Sequence, residues 1–402
     1  MHPLTRRALL AATATLAAPT ILRAQSKPVR YGLLSDMSGP YRDVGGPGNK
    51  LAVELAIQDF GGTVLGRPIE ILQADMQNKP DLASAIARQW ADDGVDAFAD
   101  GAASSSGLAI QQVARDKRKI YNITGPAASD FTGAQCAPTG IHWAYDTFAL
   151  ARGTGTALTK AGGDSWFFIT ADYAFGYALE RDTIAAVQQQ GGKVLGAVRA
   201  PLGTADFSAY LVQAQASGAK VIGLANAGTD LQNCIKQAAE FGLGKTGVKT
   251  ATLLMQVSDI TSLGQTVCQG LVYTDSFYWD ASDTTRAFSA RWGAKMGGTV
   301  PGLLHAANYA AMTHWLKSVQ AAGTTETDAV AAKMKATAVD DMYNRNVQIR
   351  ADGRVMHEMY LWQVKPKSAA RSQYDYCTNL ATIAPADAWR SLADGACPLI
   401  KT

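Results

Sequence analysis

Three serines in a row, Ser104, Ser105 and Ser106, stand where an apolar run gives way to a helical pattern in "GVDAFADGAASSSGLAIQQ". Hydroxyls beside the free N–H groups of a helix's first turn suit an anion such as a carboxylate. A plain helix cap is the other use of serine there. A second stretch, "TADYAFG", supplies Asp172, Tyr173 and Phe175. Two aromatic rings beside a polar group suit a small organic ligand, or fill a core. A third, "LLSDMSGPYRDVGGPGNK" at 33–50, ends an apolar run in polar residues and glycines before a helix-like stretch. Such turns cradle phosphates when they carry the P-loop Lys-Ser/Thr pair, which is missing here. Its glycines would instead let backbone run close to a ligand, with Ser38, Tyr41 and Arg42 facing it.

Other chemistry is excluded by context. "GLGKTG" at 242–247 matches the dinucleotide spacing, but it follows a helical run, "KQAAEF", rather than a strand. It reads as a helix-terminating turn. No G-x-S-x-G elbow is present. The five histidines, His2, His142, His305, His314 and His357, form no H-E-x-x-H pattern, and the five cysteines have no zinc spacing. The expectation is a protein that is not an enzyme and needs no cofactor or metal.

The elements that would position these residues alternate. Strand-like runs occupy 29–35, 68–74, 95–100, 119–124, 165–170, 193–199, 219–225, 250–255 and 270–275, with helical patterns between most of them. In "DLASAIARQWADDG", Asp81 suits a helix N-cap, Leu82, Ala85, Ile86 and Trp90 share a face, and Gly94 suits the stop. The chain also repeats itself. "GGTVLG" returns as "GGKVLG", the helix opened by Asp81 has a counterpart opened by Asp206, and "GVDAFADGAASS" has one in "GAKVIGLANAGT". Order and spacing both match, which predicts two similar α/β lobes with parallel sheets. After residue 280 come helices over 283–297, 303–321 and 325–337. A hairpin of "NVQIR" and "VMHEMYLWQV" around Ala351-Asp352-Gly353 follows, then an irregular tail.

Ligands of open parallel sheets bind beyond the carboxyl ends of the strands. That rule selects the loops 35–46, 101–106 and 124–129 in one lobe and 170–176, 226–229 and 255–258 in the other. It adds Pro126, Ala127, Ala128, Asn226, Ala227 and Gln256 to the candidates.

Residues 1–24 read as a signal peptide: a polar start with Arg6-Arg7 in "TRRALL", an apolar run, and a small-residue exit at Ala24. The formal charge of +3 is carried by Arg6, Arg7 and Arg23, so the remainder is neutral. Nothing predicts nucleic-acid or membrane-surface binding. No later apolar run approaches membrane-helix length. Export makes disulfides possible, and five cysteines leave at least one unpaired within the chain.

An export signal, duplicated α/β lobes and a facing cleft resemble the periplasmic solute-binding receptors of ABC importers, in the branched-chain amino-acid class. "LSDMSGPY", "DFGG", "NKPD", "SSS", "TADYAFG", "DFSAYLVQAQASGAKVIGLANAG", "IKQAAEFGL" and "SDITSLG" carry the resemblance across nearly all of the chain after the signal. It implies two Rossmann-like lobes, parallel sheets flanked by helices, joined by a three-crossing hinge with the ligand between them. Lobe 1 would take 27–145 and 277–343, lobe 2 146–276 and 344–378, and the tail 379–402 would pack on lobe 1.

Family amino-acid binders hold the α-carboxylate with the serine loop, a role falling on Ser104 with Ser105 beside it. They hold the ammonium with a Thr and a Glu, where this chain has Ala128 and Gln256; Asp172 is a candidate substitute. Those departures point to a small carboxylate with an apolar or aromatic body. It would lie against Tyr173 and Phe175, with Tyr41, Tyr278 and Trp279 completing the wall. A branched-chain amino acid, a small amide, or a periplasmic sensing role are the alternatives. The resemblance also implies a monomer in the periplasm, a membrane permease as partner, and a Cys136–Cys397 disulfide. Cys234–Cys268 is the candidate second bridge.

Overall fold

Strand Ser165–Ala171, "SWFFITA", is buried at every position, as a parallel strand covered by helices on both faces must be. The computed structural model describes residues 27–400, so the export signal expected over 1–24 lies outside it. Two parallel sheets form the framework. The first contains β1 (Val29–Ser35), β2 (Thr63–Val64), β3 (Arg67–Asp75), β4 (Ala97–Asp100), β5 (Ile120–Ile123) and β6 (Gly140–His142) in the order β2-β3-β1-β4-β5-β6. Only the short β2 runs antiparallel. The second contains β7 (Ser165–Ala171), β8 (Lys193–Ala200), β9 (Val221–Ala225) and β10 (Lys249–Thr252), ordered β10-β9-β7-β8 and parallel throughout.

Helices cover both sheets. The helix of "DLASAIARQW" spans Pro80–Asp92 with Lys79 as its N-cap. Asp81 therefore sits inside the first turn, because Pro80 fits the first helical position, where no N–H is needed. Asp206, by contrast, precedes its helix, Ser208–Ala216, and accepts the Ser208 N–H at 2.9 Å. Helices Asp283–Gly293, Leu303–Ala322 and Thr327–Ala336 return to the first sheet's side. There Trp292 Nε1 donates to Gly48 O at 3.2 Å and Trp315 packs on Tyr31 at 5.1 Å.

Three chain passages between the lobes lie side by side. Ser276 Oγ donates to Ala144 O at 2.9 Å, and His357 Nε2 lies 2.7 Å from Trp143 O. Arg354 is fully buried among them, donating to Tyr145 O at 2.9 Å and stacking on Trp389 at 4.1 Å.

The C-terminal third departs from the expected pattern. The Ala351–Gly353 turn forms, with Gly353 at φ +90°, but its ladder is one bridge, Ile349 to Val355. Met359–Val364 (β12) pairs instead with β11 (Val272–Asp275) and β13 (Cys377–Ile383) in an antiparallel sheet. The expected boundary at 378 falls inside β13. That strand is mostly exposed and mixes polar with apolar residues without alternation, so it carries no apolar period. Cys136 is disulfide-bonded to Cys397, and Arg390 Nη2 donates to Ser129 O at 2.9 Å, which ties the tail to the first lobe. The candidate Cys234–Cys268 bridge does not form. Cys234, Cys268 and Cys377 are buried thiols, Cys234 beside Asn226 and Cys268 toward Cys377.

Candidate ligand-binding cleft

The loop after β1 is wound around one carboxylate. Asp36 accepts N–H groups from Gly39 at 2.6 Å and Tyr41 at 2.8 Å, and Asn78 Nδ2 at 2.5 Å. A Cβ at Gly39 would sit 2.7 Å from that carboxylate, so the winding requires glycine. Its outcome is to aim Tyr41 inward. Ser38 points the other way, exposed and donating to Asp75 at 2.5 Å, and Arg42 is exposed as well. Neither lines the cleft.

The loop after β4 uses backbone strain. Asp100 and Ala102 have φ of +71° and +32°, conformations that L-residues hold only when their surroundings fix them. The fixing comes from the buried Asp100 carboxylate, which accepts from Ser35 Oγ at 2.7 Å, Asn49 Nδ2 at 2.8 Å and Ala102 N at 3.2 Å. The chain then enters helix Ser104–Asp116 with Ala102 and Ser104 on the cleft wall. Ser104 Oγ accepts the N–H groups of Ala127 and Ala128, both at 3.1 Å, so it ties the third loop to the first turn of the helix. Its own proton remains for another acceptor. Ala127 lines the cleft. Ala128 is buried behind it, and Pro126 turns its carbonyl to His142 Nε2 at 2.8 Å. Ser105 is half-buried outside the lining.

The opposite wall comes from the second lobe. Tyr173 and Phe175 follow β7, their rings 5.9 Å apart, and Ala227 and Gly228 follow β9. Asp172 is exposed and accepts from the Tyr177 hydroxyl, so it does not face a ligand. Asn226 is buried behind the wall. Tyr278 belongs elsewhere: its hydroxyl receives the N–H groups of Tyr376 and Cys377, and its ring stacks on Trp362 at 4.6 Å. Trp279 donates to Tyr374 O, also away from the cleft.

Gln256 caps helix Val257–Leu263 through its backbone and turns its side chain into the cleft wall, where Oε1 is buried without a partner. Asp259, three residues on, lines the same wall. It accepts Gln256 N and Gln232 Nε2, both at 2.8 Å, and burial pushes its pKa up to about 6.

The walls close on a cavity of about 30 Å³, room for little more than a water molecule, so a ligand requires the lobes to part. Val44, Leu254 and Leu304 complete an apolar interior, and Tyr145 adds a ring whose hydroxyl donates to Gly125 O at 2.9 Å. Among the described lining residues there is no Lys, Arg or His, and Asp259 is the only carboxylate. The lobes meet over this space. The Tyr41 and Tyr173 hydroxyls hydrogen-bond each other, and burial raises both phenol pKa values. Pro40 O accepts from Thr229 N at 3.1 Å and Thr229 Oγ1 at 3.0 Å.

Of the sequence candidates, Tyr41, Ser104, Ala127, Tyr173, Phe175, Ala227 and Gln256 meet in this cleft. Sequence reasoning missed Tyr145 and Asp259. A usable signal existed for Asp259, since it stands three residues after a helix's N-cap, the capping-box position.

The periplasmic binding protein family model matches residues 28–370. A crystal structure of a periplasmic binding protein from Burkholderia mallei superimposes with a TM-score of 0.91 at 47% identity, covering 93% of this chain and 99% of that one. A branched-chain amino-acid ABC transporter periplasmic ligand-binding protein from Burkholderia xenovorans LB400 gives 0.81 at 38% identity, covering 92% and 99%. A solute-binding protein of an ABC transporter from R. palustris, crystallised with benzoate, gives 0.80 at 20% identity, covering 89% and 97%, a likeness of fold alone. Among curated proteins, Leu/Ile/Val-binding protein homolog 6 of Brucella melitensis is 23% identical over 242 residues, 59% of this chain and 61% of that protein.

Proposed function

The chain belongs to the periplasmic binding protein family, the non-enzymatic substrate-binding proteins of ABC transporters, and from that premise we propose that it captures a small carboxylate with an apolar or aromatic body and delivers it to a membrane permease. The observation that carries this reading is the polarity of the cleft. One wall offers the Ser104 proton and the start of helix Ser104–Asp116, where partial positive charge favours a carboxylate. The interior offers Tyr41, Tyr145, Tyr173, Phe175, Val44, Leu254 and Leu304 for an apolar body. The family's export and the expected signal peptide support a periplasmic location.

Asp259 favours a second reading, a branched-chain amino acid. With Asp172 in solvent, Asp259 is the carboxylate able to meet an α-ammonium, which would be costly to bury unpaired. A thermal-shift screen separates the two, because a ligand stabilises by RT ln(1 + [L]/Kd). Shifts with benzoates or cinnamates and none with leucine, isoleucine or valine support the aromatic acid. The reverse pattern would falsify it.

A further inference from the structure

A second space lies behind the cleft wall. It is a chamber of about 290 Å³ between the lobes, against about 30 Å³ in the cleft itself. Three segments serve both. Val44 lines the cleft and Gly45 the chamber, Gln256 the cleft and Ser258 the chamber, Leu304 the cleft and His305 the chamber. The partition is a contact across the lobes: a Cβ at Gly302 would lie 3.0 Å from Gln256 Oε1 and 3.6 Å from Val257 Cγ1. Its first-lobe half is fixed. Gly302 N donates to His305 Nδ1 at 2.9 Å, His305 Nε2 lies 3.3 Å from Gly45 O, and Trp292 packs on the imidazole at 4.6 Å. Among the described residues, no hydrogen bond joins that half to Gln256 or Val257. When the lobes part, the partition parts with them, and cleft and chamber become one space.

Trp292, Met296 and Val300 give the chamber an apolar side. The exposed Arg42 and Asp43 carry opposite charges, so it favours no ion. Its volume exceeds the roughly 150 Å³ that holds one benzene in an apolar cavity. We propose that the chamber is a second compartment of the ligand site, filled by the distal part of an acid whose apolar body runs past one ring, an arylalkanoate. Met296 on one lobe and Ser258 on the other then set the length of body that fits. A single-ring acid leaves this compartment to water, whereas a longer one replaces that water with apolar contact, which is favourable. This inference rests on the carboxylate reading above, and it specifies how long the rest of the ligand is.

The test is a length series by isothermal titration calorimetry: benzoate, 3-phenylpropanoate and 5-phenylpentanoate, on the wild-type protein and on Met296→Trp, which fills the chamber. In the wild type, the best of the two longer acids should bind about tenfold tighter than benzoate or more. In Met296→Trp that preference should fall below about threefold. Ser258→Phe fills the chamber from the other lobe, is judged by the same criterion, and replaces the tryptophan variant if that one does not fold. A preference that survives filling belongs to general apolarity and overturns the proposal. If benzoate binds and the longer acids bind no tighter, the carboxylate reading stands and this inference fails. If no carboxylate binds the wild type, the carboxylate reading fails first and this inference falls with it.

Discussion

Ser104 spends both its lone pairs on the third loop, so its removal has two consequences that can be measured apart. Ser104→Ala leaves the Ala127 and Ala128 N–H groups without their acceptor inside a buried wall. Stability should fall by about 1–3 kcal/mol, and affinity for a bound acid about tenfold or more. Ser105→Ala, outside the lining, should change neither much. Denaturant unfolding and calorimetry on the two variants check this, and equal effects would remove Ser104 from the site. Titration gives a second prediction. Burial holds Asp259 and Asp230 up to about 6 and Asp275 up to about 8, against about 3.9 unfolded. Between those values the folded protein binds protons that the unfolded chain has released. These three groups therefore lower stability as pH rises from about 4 to 8, by up to about 1.4 kcal/mol per pH unit for each within its window, whereas buried His305 and His357, held down to about 4, raise it up to about pH 6.5. Above the histidine range the Asp275 contribution stands alone, so the melting temperature of the unliganded protein should be lower at pH 8.5 than at pH 7, and Asp275→Asn should flatten that decline. A flat profile would contradict the burial.

At the scale of elements, the longer strands of both parallel sheets were legible as apolar runs between helical patterns, while the two- and three-residue strands β2 and β6 are too short to show a run. The loops were legible as locations but less so as side chains. Strand ends told which loops face the cleft, yet of Ser38, Tyr41 and Arg42 in the first loop only Tyr41 points in, because Asp36 winds the backbone and sends Ser38 outward. Asp172 and Tyr173 are adjacent in sequence and face opposite ways. Tyr278 looked like a wall residue and is instead a bracket for β13, a strand whose exposed, mixed residues gave no period to detect. One element-level prediction follows from Gly228, which opens helix Gly228–Glu240 at φ +60°. A Cβ there would lie 2.3 Å from Pro40 O across the cleft. Gly228→Ala adds left-handed strain of about 1–2 kcal/mol and pushes the lobes apart. Small-angle scattering should report a larger radius of gyration with ligand present, and affinity should drop. A closed, tight-binding Gly228→Ala protein would show that the Pro40–Thr229 contact does not set closure.

At the scale of the molecule, the lobes are joined by more than the three passages of the hinge. After β13 the tail returns to the first lobe and is fixed there covalently, Cys397 to Cys136. Along the way Trp389 packs under the buried Arg354 guanidinium, and its Nε1 donates to His357 O at 2.8 Å. Arg350 Nη1 donates to Arg390 O at 2.7 Å. The tail thus braces the residues on which opening would turn, and Arg354 in turn holds Tyr145 O next to the cleft. The bond spans 261 residues of sequence, so its loss releases a long loop into the unfolded ensemble and should cost about 2–5 kcal/mol. The paired variant Cys136→Ser/Cys397→Ser should therefore melt well below the wild type, and reduction of the native protein should approach the same value. Ligand affinity separates two roles of the tail. If it only stabilises, affinity measured well below the melting point will match the wild type. If it also braces the hinge, affinity will shift while the Ser104 and Gln256 contacts remain intact. An unchanged melting temperature would refute the brace in either role.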